Sequence, residues 1–402
     1  MKVLVADKFP DTDIERMKKL GFTVVYNPEL KDQALAEEIK RSEAEAVIVR
    51  STKVTEPMLD SGHLSLVIRA GSGYDTIDVA ACSKRGIYVA NCPGKNATAV
   101  AELAFGLILA LDRRLADNVG QLREKKWNKK EFSKARGLYG RTLGLIGVGQ
   151  IGTLMVERAR AFGMPVVAWS RSLTPEKAQG LGITRKNSPE EVAAAADAVS
   201  VHLALTPETK GLCGEKFFAA MRKGAYFINT SRGGVVDEAA LKKAIAEKGI
   251  RAGLDVYAKE PSSGTGAFED DIAELEGVYG THHIGASTDQ AQEAIADETR
   301  RILQVYHDTG HVPNVVNLCE RTPATHALVV RHRDRVGVLA HVLNGLRGAG
   351  INVQEMENVI FSGAEAAMAR IHIDRAPTDG VLDAIRSGNE DIYELDLIPL
   401  SE

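Results

Sequence analysis

The 402-residue sequence predicts an α/β protein with two Rossmann-like, doubly wound parallel sheets, followed by a smaller ferredoxin-like α+β unit. Three observations carry this expectation. Apolar strand-like runs alternate with helical patterns over residues 1–95 and again over 141–287. A glycine turn, Gly147-Val148-Gly149-Gln150-Ile151-Gly152, separates the run Leu143–Ile146 from a helical pattern with Met155, Val156, Ala159 and Phe162 on one face. Beyond about residue 325 the order changes to βαββαβ within fewer than 80 residues.

A chain of this length exceeds one ordinary hydrophobic core, so two or three domains are expected. Hydrophobic residues make up 44% and charged residues 26%, ordinary proportions for a globular protein. A formal net charge of −4 gives no electrostatic reason to expect nucleic acid or an anionic membrane as partner. The opening run Met1–Ala6 is too short for a signal peptide and no run is apolar enough to span a bilayer, so a cytoplasmic protein is expected. Cys82, Cys92, Cys213 and Cys319 lack metal-site or disulfide-framework spacing, and no metal is expected.

In chain order, strands read at Val3–Ala6, Thr23–Tyr26, Ala46–Val49 and Leu66–Ala70, with helices over Asp13–Leu20 and Gln33–Arg41. Polar or glycine-rich loops follow two of these strands: Arg50-Ser51-Thr52-Lys53, and Gly71-Ser72-Gly73-Tyr74-Asp75. Ligands of open α/β sheets bind beyond the carboxyl ends of strands, which makes these loops substrate candidates, although a lone Arg or Lys is more often simply solvated. Ala97–Leu115 reads as one long, largely buried helix leading into the second sheet. The basic run Arg123–Lys130 around Trp127 reads as a solvated face, with phosphate recruitment as the alternative. Second-sheet strands read at Leu143–Ile146, Val166–Ser170, Ala198–Leu205, Ala225–Thr230 and Gly253–Tyr257. Thr288–Thr309 reads as an amphipathic helix crossing back to the first sheet before Pro313–Asn317. The expected domains are therefore 1–95 with 288–320 (substrate side), 96–287 (cofactor side) and 325–402. In the last, strands are expected at Leu328–Val330, from Gly350, at Met368–Ile373 and at Ile392–Ile398, with helices over Val336–Leu346 and Thr378–Ile385.

The glycines of the turn have separate physical tasks. Gly147 allows the tight turn, Gly149 lets the backbone approach a pyrophosphate, and Gly152 lets the helix pack on the strand. The free N–H groups and dipole of the new helix would then face the phosphates. An unliganded glycine-rich turn is the plain alternative, and the strand–turn–helix context argues against it. About 20 residues on, an acid is expected to grip an NAD ribose. Ser170-Arg171-Ser172 stands there instead, which removes repulsion against a 2′-phosphate and leans toward NADP.

Three further loops carry reactive side chains: Asn229-Thr230-Ser231-Arg232-Gly233, Asp255-Val256-Tyr257-Ala258-Lys259-Glu260-Pro261, and Thr281-His282-His283-Ile284-Gly285. If all three follow parallel strands of one sheet, they converge at its carboxyl edge. Hydride transfer to a ketone develops negative charge on oxygen and requires a proton. His283 can trade that proton near neutral pH, with Glu260 holding the imidazole. Arg232 would clamp a substrate carboxylate and polarise the carbonyl, and Asp255 would receive a nicotinamide carboxamide. His282 competes for the acid–base role. Taken singly, Glu260-Pro261 is an ordinary turn and Arg232 an ordinary cap.

With these residues together, the chain resembles the D-2-hydroxyacid dehydrogenases over most of its length. Arg232 followed by glycine, Glu260 before proline and His283 before Ile-Gly match the family's pattern, although His282 stands where proline is usual and Ala204 replaces a common proline. Asn91–Asn96 with Val100-Ala101-Glu102 resembles its interdomain loop. The resemblance is nearest to the branch acting on 3-phospho-D-glycerate. It implies Arg50, Ser51, Lys53, Arg69 and Asn96 as substrate residues. It also implies NAD, with NADP left open by Ser170 and Arg171, held by the glycine turn (Gly147, Gly149, Gln150, Ile151, Gly152) and by Thr206, Thr230, Asp255 and Gly285. Trp127-Asn128-Lys129 resembles a basic segment near that branch's phosphate or effector site. The last unit resembles an ACT regulatory domain that binds serine between subunits, with His332, Asp334 and Asn352 at effector positions. Asp334 replaces a usual asparagine and Val336 a usual proline. A homo-oligomer, dimer or tetramer, is implied.

Three functions are consistent with these residues. The first is an oxidoreductase interconverting 3-phospho-D-glycerate and 3-phosphohydroxypyruvate in serine biosynthesis. The second is an NADP-dependent reductase of hydroxypyruvate or glyoxylate. The third is a nucleotide-sensing protein with little chemistry, which Arg232, Glu260 and His283 together disfavour.

Overall fold

The computed structural model describes residues 1–60, 63–261 and 265–400. They form two compact units, Met1–Asn317 and Leu318–Glu402. The first unit contains two parallel sheets. Its amino-terminal sheet consists of β1 (Lys2–Val5), β2 (Thr23–Tyr26), β3 (Ala46–Val49), β4 (Leu66–Arg69) and β5 (Tyr88–Asn91), in the order β2-β1-β3-β4-β5. This is the flavodoxin-like winding, with a switch point between β1 and β3. The second sheet consists of β6 (Leu143–Ile146), β7 (Val166–Trp169), β8 (Thr184–Arg185), β9 (Ala198–Val201), β10 (Tyr226–Asn229), β11 (Arg251–Leu254) and β12 (Val278–Gly280). Its order, β12-β11-β10-β9-β6-β7-β8, is the Rossmann winding with one added strand, and it reverses between β6 and β9.

Helices cover both faces of these sheets, so the central strands are apolar without alternation. Every residue of β3, β6, β9 and β10 is buried. The short edge strand β8 is exposed and, like β12, has no comparable apolar run to announce it. The helix Asp289–Thr309 buries Ile295, Ala296, Ile302 and Leu303 against the first sheet's core, and Val315 bridges Ala90 of β5. The chain therefore returns to its first sheet.

Some element ends differ from expectation. The alanine- and leucine-rich helix spans Ala97–Arg113, and Arg114 takes a left-handed conformation (φ 50°) before a separate helix Leu115–Arg123. Local propensity runs on, but Arg114 turns to pair with Asp117 and Glu131. β9 ends at Val201 and β11 at Leu254, short of the expected Leu205 and Tyr257, because the chain there leaves the ladder to build the site loops.

The second unit is an antiparallel sheet of β13 (His326–Arg333), β14 (Val353–Ile360), β15 (Ala366–Ile373) and β16 (Ile392–Pro399), ordered β14-β15-β13-β16. With helices Val338–Gly348 and Asp379–Ser387 it is a ferredoxin-like βαββαβ fold. The candidate effector residues are dispersed over this unit. Alternation along β13 puts His332 on the same face as Leu328 and Val330, 1% exposed. One ring nitrogen meets the Arg333 carbonyl at 2.8 Å and the other Asn358 Oδ1 at 3.2 Å, so the imidazole is occupied internally. Asp334 lies beside Glu365, where β15 begins, whereas Asn352 is hydrogen-bonded to Asp374, where β15 ends. In one chain these two residues sit at opposite ends of the sheet.

Candidate active site

The glycine turn is built as its spacing requires. Gly147 has φ +99°, and a Cβ on it would come within 2.3 Å of the His202 carbonyl oxygen. A Cβ on Gly152 would come within 2.3 Å of the Gly147 oxygen. Gly149, by contrast, faces open space and caps the helix Gln150–Ala161. Its N–H end opens onto a cleft of about 520 Å³ bordered by Gly94, Thr98, Gly149, Gln150, Thr153 and Lys177. Gln150 lies directly over Gly94, and Ile151 packs into the core below.

The chemistry of this crevice fits a nicotinamide dinucleotide. Two polar atoms at carboxyl ends of strands are buried without a partner: Thr230 Oγ1 after β10 and His202 Nδ1 after β9. The other ring nitrogen of His202 meets Ser200 Oγ at 2.9 Å. Burial holds the His202 pKa down at about 3, so the ring is neutral and keeps an orphan nitrogen for a ligand. Thr206 tightens the following turn through Thr209. Ser170 and the exposed Arg171 stand just past β7.

The reactive loops do converge. His283 Nδ1 meets Glu260 Oε2 at 2.6 Å, while Glu260 Oε1 accepts from the Tyr257 N–H at 2.9 Å. Burial alone would raise the Glu260 pKa, but the His283 hydrogen bond, the Tyr257 N–H and the charges of His283 and Arg232 together lower it. His283 has φ 53°, a strained conformation for a non-glycine residue, and the adjacent exposed His282 makes no such pairing. The strain is held by Asp255. It is 1% exposed; Oδ1 accepts from the Ile284 N–H (2.8 Å) and Thr281 Oγ1 (2.6 Å), and Oδ2 from the Gly285 N–H (2.8 Å). Both oxygens of Asp255 are thus engaged by the loop that aims His283.

Arg232 lies three residues past β10, where Asn229 folds the chain off the sheet by accepting from Ser231 and donating to the Arg232 carbonyl. The following glycine has a steric cause, since a Cβ on Gly233 would come within 2.0 Å of the Tyr257 oxygen. That close approach brings Arg232 beside the Glu260 loop. The guanidinium is also forked onto Asp75 of the first sheet's loops, at 3.0 to 3.3 Å. Burial raises and the Arg232 hydrogen bond lowers the Asp75 pKa, with the net effect downward.

Arg69 completes the cluster. Burial first, then the charges of Arg232 and Arg50, depress its pKa to about 10 against the pull of Asp75, and its Nε is buried without a partner. Arg50, Ser51 and Thr52 donate their backbone N–H groups to Asp7 Oδ2 at 2.7, 3.0 and 2.9 Å, and Arg50 also reaches Gln292 at 3.3 Å. Lys53 is exposed on the same loop. Asn96 Oδ1 accepts from Ser72 Oγ at 2.6 Å, joining two loops beyond β4 and β5. Sequence reasoning missed Asp7 and gave Asp75 no role of its own. Both make contacts far along the chain, and no local pattern marks them.

An imidazole poised to trade a proton, beside a dinucleotide fold and clustered arginines, defines a class of enzyme. It moves a hydride between a nicotinamide cofactor and a small anionic alcohol or ketone. Comparison with known proteins narrows the class. The family model "D-isomer specific 2-hydroxyacid dehydrogenase, NAD binding domain" matches residues 105–285. The D-3-phosphoglycerate dehydrogenase of Methanocaldococcus jannaschii is 34% identical over 394 residues, covering 96% of this chain and 72% of that protein. The glyoxylate reductase of Thermococcus litoralis is 35% identical over 326 residues, covering 79% of this chain and 96% of that protein. The solved NAD+-bound 3-phosphoglycerate dehydrogenase of Entamoeba histolytica superposes with a TM-score of 0.66 at 28% identity, covering 79% of this chain and 99% of that one. The chain belongs to the D-isomer specific 2-hydroxyacid dehydrogenase family and is an NAD(P)-dependent oxidoreductase. Among the described residues, no helix is long and apolar enough to cross a membrane.

Proposed function

We propose that the chain interconverts 3-phospho-D-glycerate and 3-phosphohydroxypyruvate, the entry step of phosphorylated serine synthesis. The observation that carries this reading is the charge on the substrate side. Arg50 and Arg232 both bear on the buried Arg69, with Asp75 forked to Arg232 beside it, a local excess of positive charge that suits a ligand bearing both carboxylate and phosphate. The similarity to the Methanocaldococcus enzyme also extends into the last unit, since it takes in 96% of the chain.

When bound, the nicotinamide supplies or accepts the hydride. His283 donates the proton to the developing alkoxide, or removes it in the reverse direction. Glu260 holds Nδ1, leaving Nε2 for the exchange, and stabilises the imidazolium. Arg232 holds the substrate carboxylate and the developing charge. Arg50, Ser51, Lys53, Arg69 and Asn96 bind the rest of the substrate from the first sheet's loops. Gly147, Gly149, Gln150, Gly152, Thr206, Thr230 and Gly285 line the cofactor side. A silent sensor has no use for a 2.6 Å imidazole–carboxylate pair in a strained loop.

The test is a spectrophotometric assay of the reduced nicotinamide with phosphorylated and unphosphorylated acids in both directions. The phosphorylated pair is expected to have the higher kcat/KM by about tenfold or more. Higher values for hydroxypyruvate or glyoxylate would replace this reading with the 2-keto acid reductase. That second reading is favoured by the missing carboxylate after β7 and by the similarity to the Thermococcus enzyme.

A homo-oligomer is part of the proposal: Leu115, Val119 and Leu122 leave an apolar stripe exposed on a helix with no buried residue. An effector site using both Asp334 and Asn352 would need two copies of the last unit. Millimolar serine is expected to lower activity; no response would leave that unit as a dimerisation module.

A further inference from the structure

The helix Asp289–Thr309 starts just beyond the loop that carries His283 and lays one stripe on the first sheet. Ile295, Thr299, Ile302 and Leu303 are buried in that stripe. One turn earlier, the same helical period brings up Gln292, which is polar and half-buried. A glutamine at the end of an apolar stripe is explained by its partner: Oε1 accepts from Arg50 Nη1 at 3.3 Å. The bond spans 242 positions and ties the loop after β3 to the helix that continues from the His283 loop.

The chemistry of that partner matters. Arg232 is forked onto the carboxylate of Asp75, whereas the side-chain partner of Arg50 is a neutral amide oxygen. The nearby carboxylate of Asp7 is taken up by the backbone N–H groups of Arg50, Ser51 and Thr52. An amide dipole fixes one edge of a guanidinium and leaves its charge whole; a carboxylate fixes and neutralises it together. The Arg50 charge still bears on the buried Arg69 at the end of β4. The loops after β3 and β4 therefore keep their positive charge for an anion.

We infer that Gln292 is a positioning residue that sets selectivity for phosphorylated acids, holding Arg50 in place without cancelling its charge. The inference rests on the phosphoglycerate reading above and names a group behind it. Gln292 acts through Arg50 and does not itself touch the substrate. A phosphate monoester carries about 1.5 to 2 negative charges near neutral pH. Each uncancelled guanidinium therefore counts for more toward it than toward an acid with a carboxylate alone.

Gln292→Glu is the sharpest test, because it keeps the size and the accepting oxygen and adds only a charge. An acid in the first turn of a helix suits the dipole, so this variant should fold with an unchanged Tm. Steady-state kinetics of the full chain with 3-phosphohydroxypyruvate and with hydroxypyruvate supply the readout. KM for the phosphorylated acid is expected to rise at least about tenfold at low salt, while KM for the other acid and both kcat values stay within about threefold. Added salt should shrink that rise. Gln292→Met loses the acceptor but leaves Arg50 charged, and should raise the phosphorylated KM by only about threefold. Equal KM changes for the two acids in Gln292→Glu, or none beyond about threefold, would overturn the inference and leave the phosphoglycerate reading standing. An unaltered chain that favours hydroxypyruvate would overturn both.

Discussion

Two aspartates, one in each parallel sheet, do similar work and differ in a way that matters. Asp7 follows β1 and receives the backbone of the loop after β3; Asp255 follows β11 and receives the loop after β12. Each strand pair is adjacent in its sheet, so each acid reaches sideways to steady its neighbour's loop. Asp7 is partly exposed and takes all three backbone N–H groups on one oxygen, with Ser51 Oγ on the other. Asp255 is buried and takes a backbone N–H on each oxygen. An amide could satisfy the first arrangement by facing its oxygen to the N–H groups and its NH2 to a rotatable hydroxyl. It cannot satisfy the second, because its NH2 would confront a backbone donor. The loop after β3 is therefore held by a replaceable anchor, and the loop that carries the imidazole by one whose charge is needed.

The largest effect is expected at the group the second anchor serves. His283→Ala should lower kcat by about 10²–10⁴-fold with little change in cofactor affinity, and His282→Ala should stay within a few-fold. Equal activity in the first variant would transfer the proton to His282 and remove the purpose assigned to Asp255. Asp255→Asn should come next, losing about 10²-fold in kcat through misplacement of His283, together with a lower Tm from the unsatisfied donor. Asp75→Asn should raise the substrate KM by about tenfold, since the fork that aligns Arg232 loses its charge. A fall in KM would mean that Asp75 only competes with substrate. Asp7→Asn should change kcat and KM by less than about threefold; an effect as large as that of Asp255→Asn would end the distinction between the anchors.

The smallest expected effect concerns stability. Arg301 first, with Asn314 and Lys95, holds the Glu298 pKa at about 2 against an ordinary 4.5, although burial opposes them. A carboxyl depressed in the folded state stabilises above its unfolded pKa, and that contribution is lost as pH falls from about 4.5 toward 2. Glu298→Gln should lower Tm by about 2–4 °C at pH 7, and the difference should shrink across that acid window in thermal melts.

Much of this molecule can be read from local pattern. The strand before Gly147, the open face at Gly149 and the close packing at Gly152 follow from residue type and spacing, because backbone sterics act over a few residues. The βαββαβ order of the last unit was legible for the same reason. The break at Arg114 was not, since the helical pattern continues and the ion pairs with Asp117 and Glu131 turn the chain. The occupied imidazole of His332 was also hidden: its partner Asn358 lies on β14, and only strand pairing brings the two together.

Residue order alone determined the fold class, the dinucleotide turn and the identities of the histidine, glutamate and arginine around which the chemistry is argued. Tertiary structure alone decided that Glu260 reaches His283 rather than His282, that Asp75 forks Arg232 across 157 positions, and that Asp7 and Asp255 hold the loops. Periodicity and turn chemistry act between near neighbours. A carboxylate's partners are set by which strand ends the sheet winding places side by side.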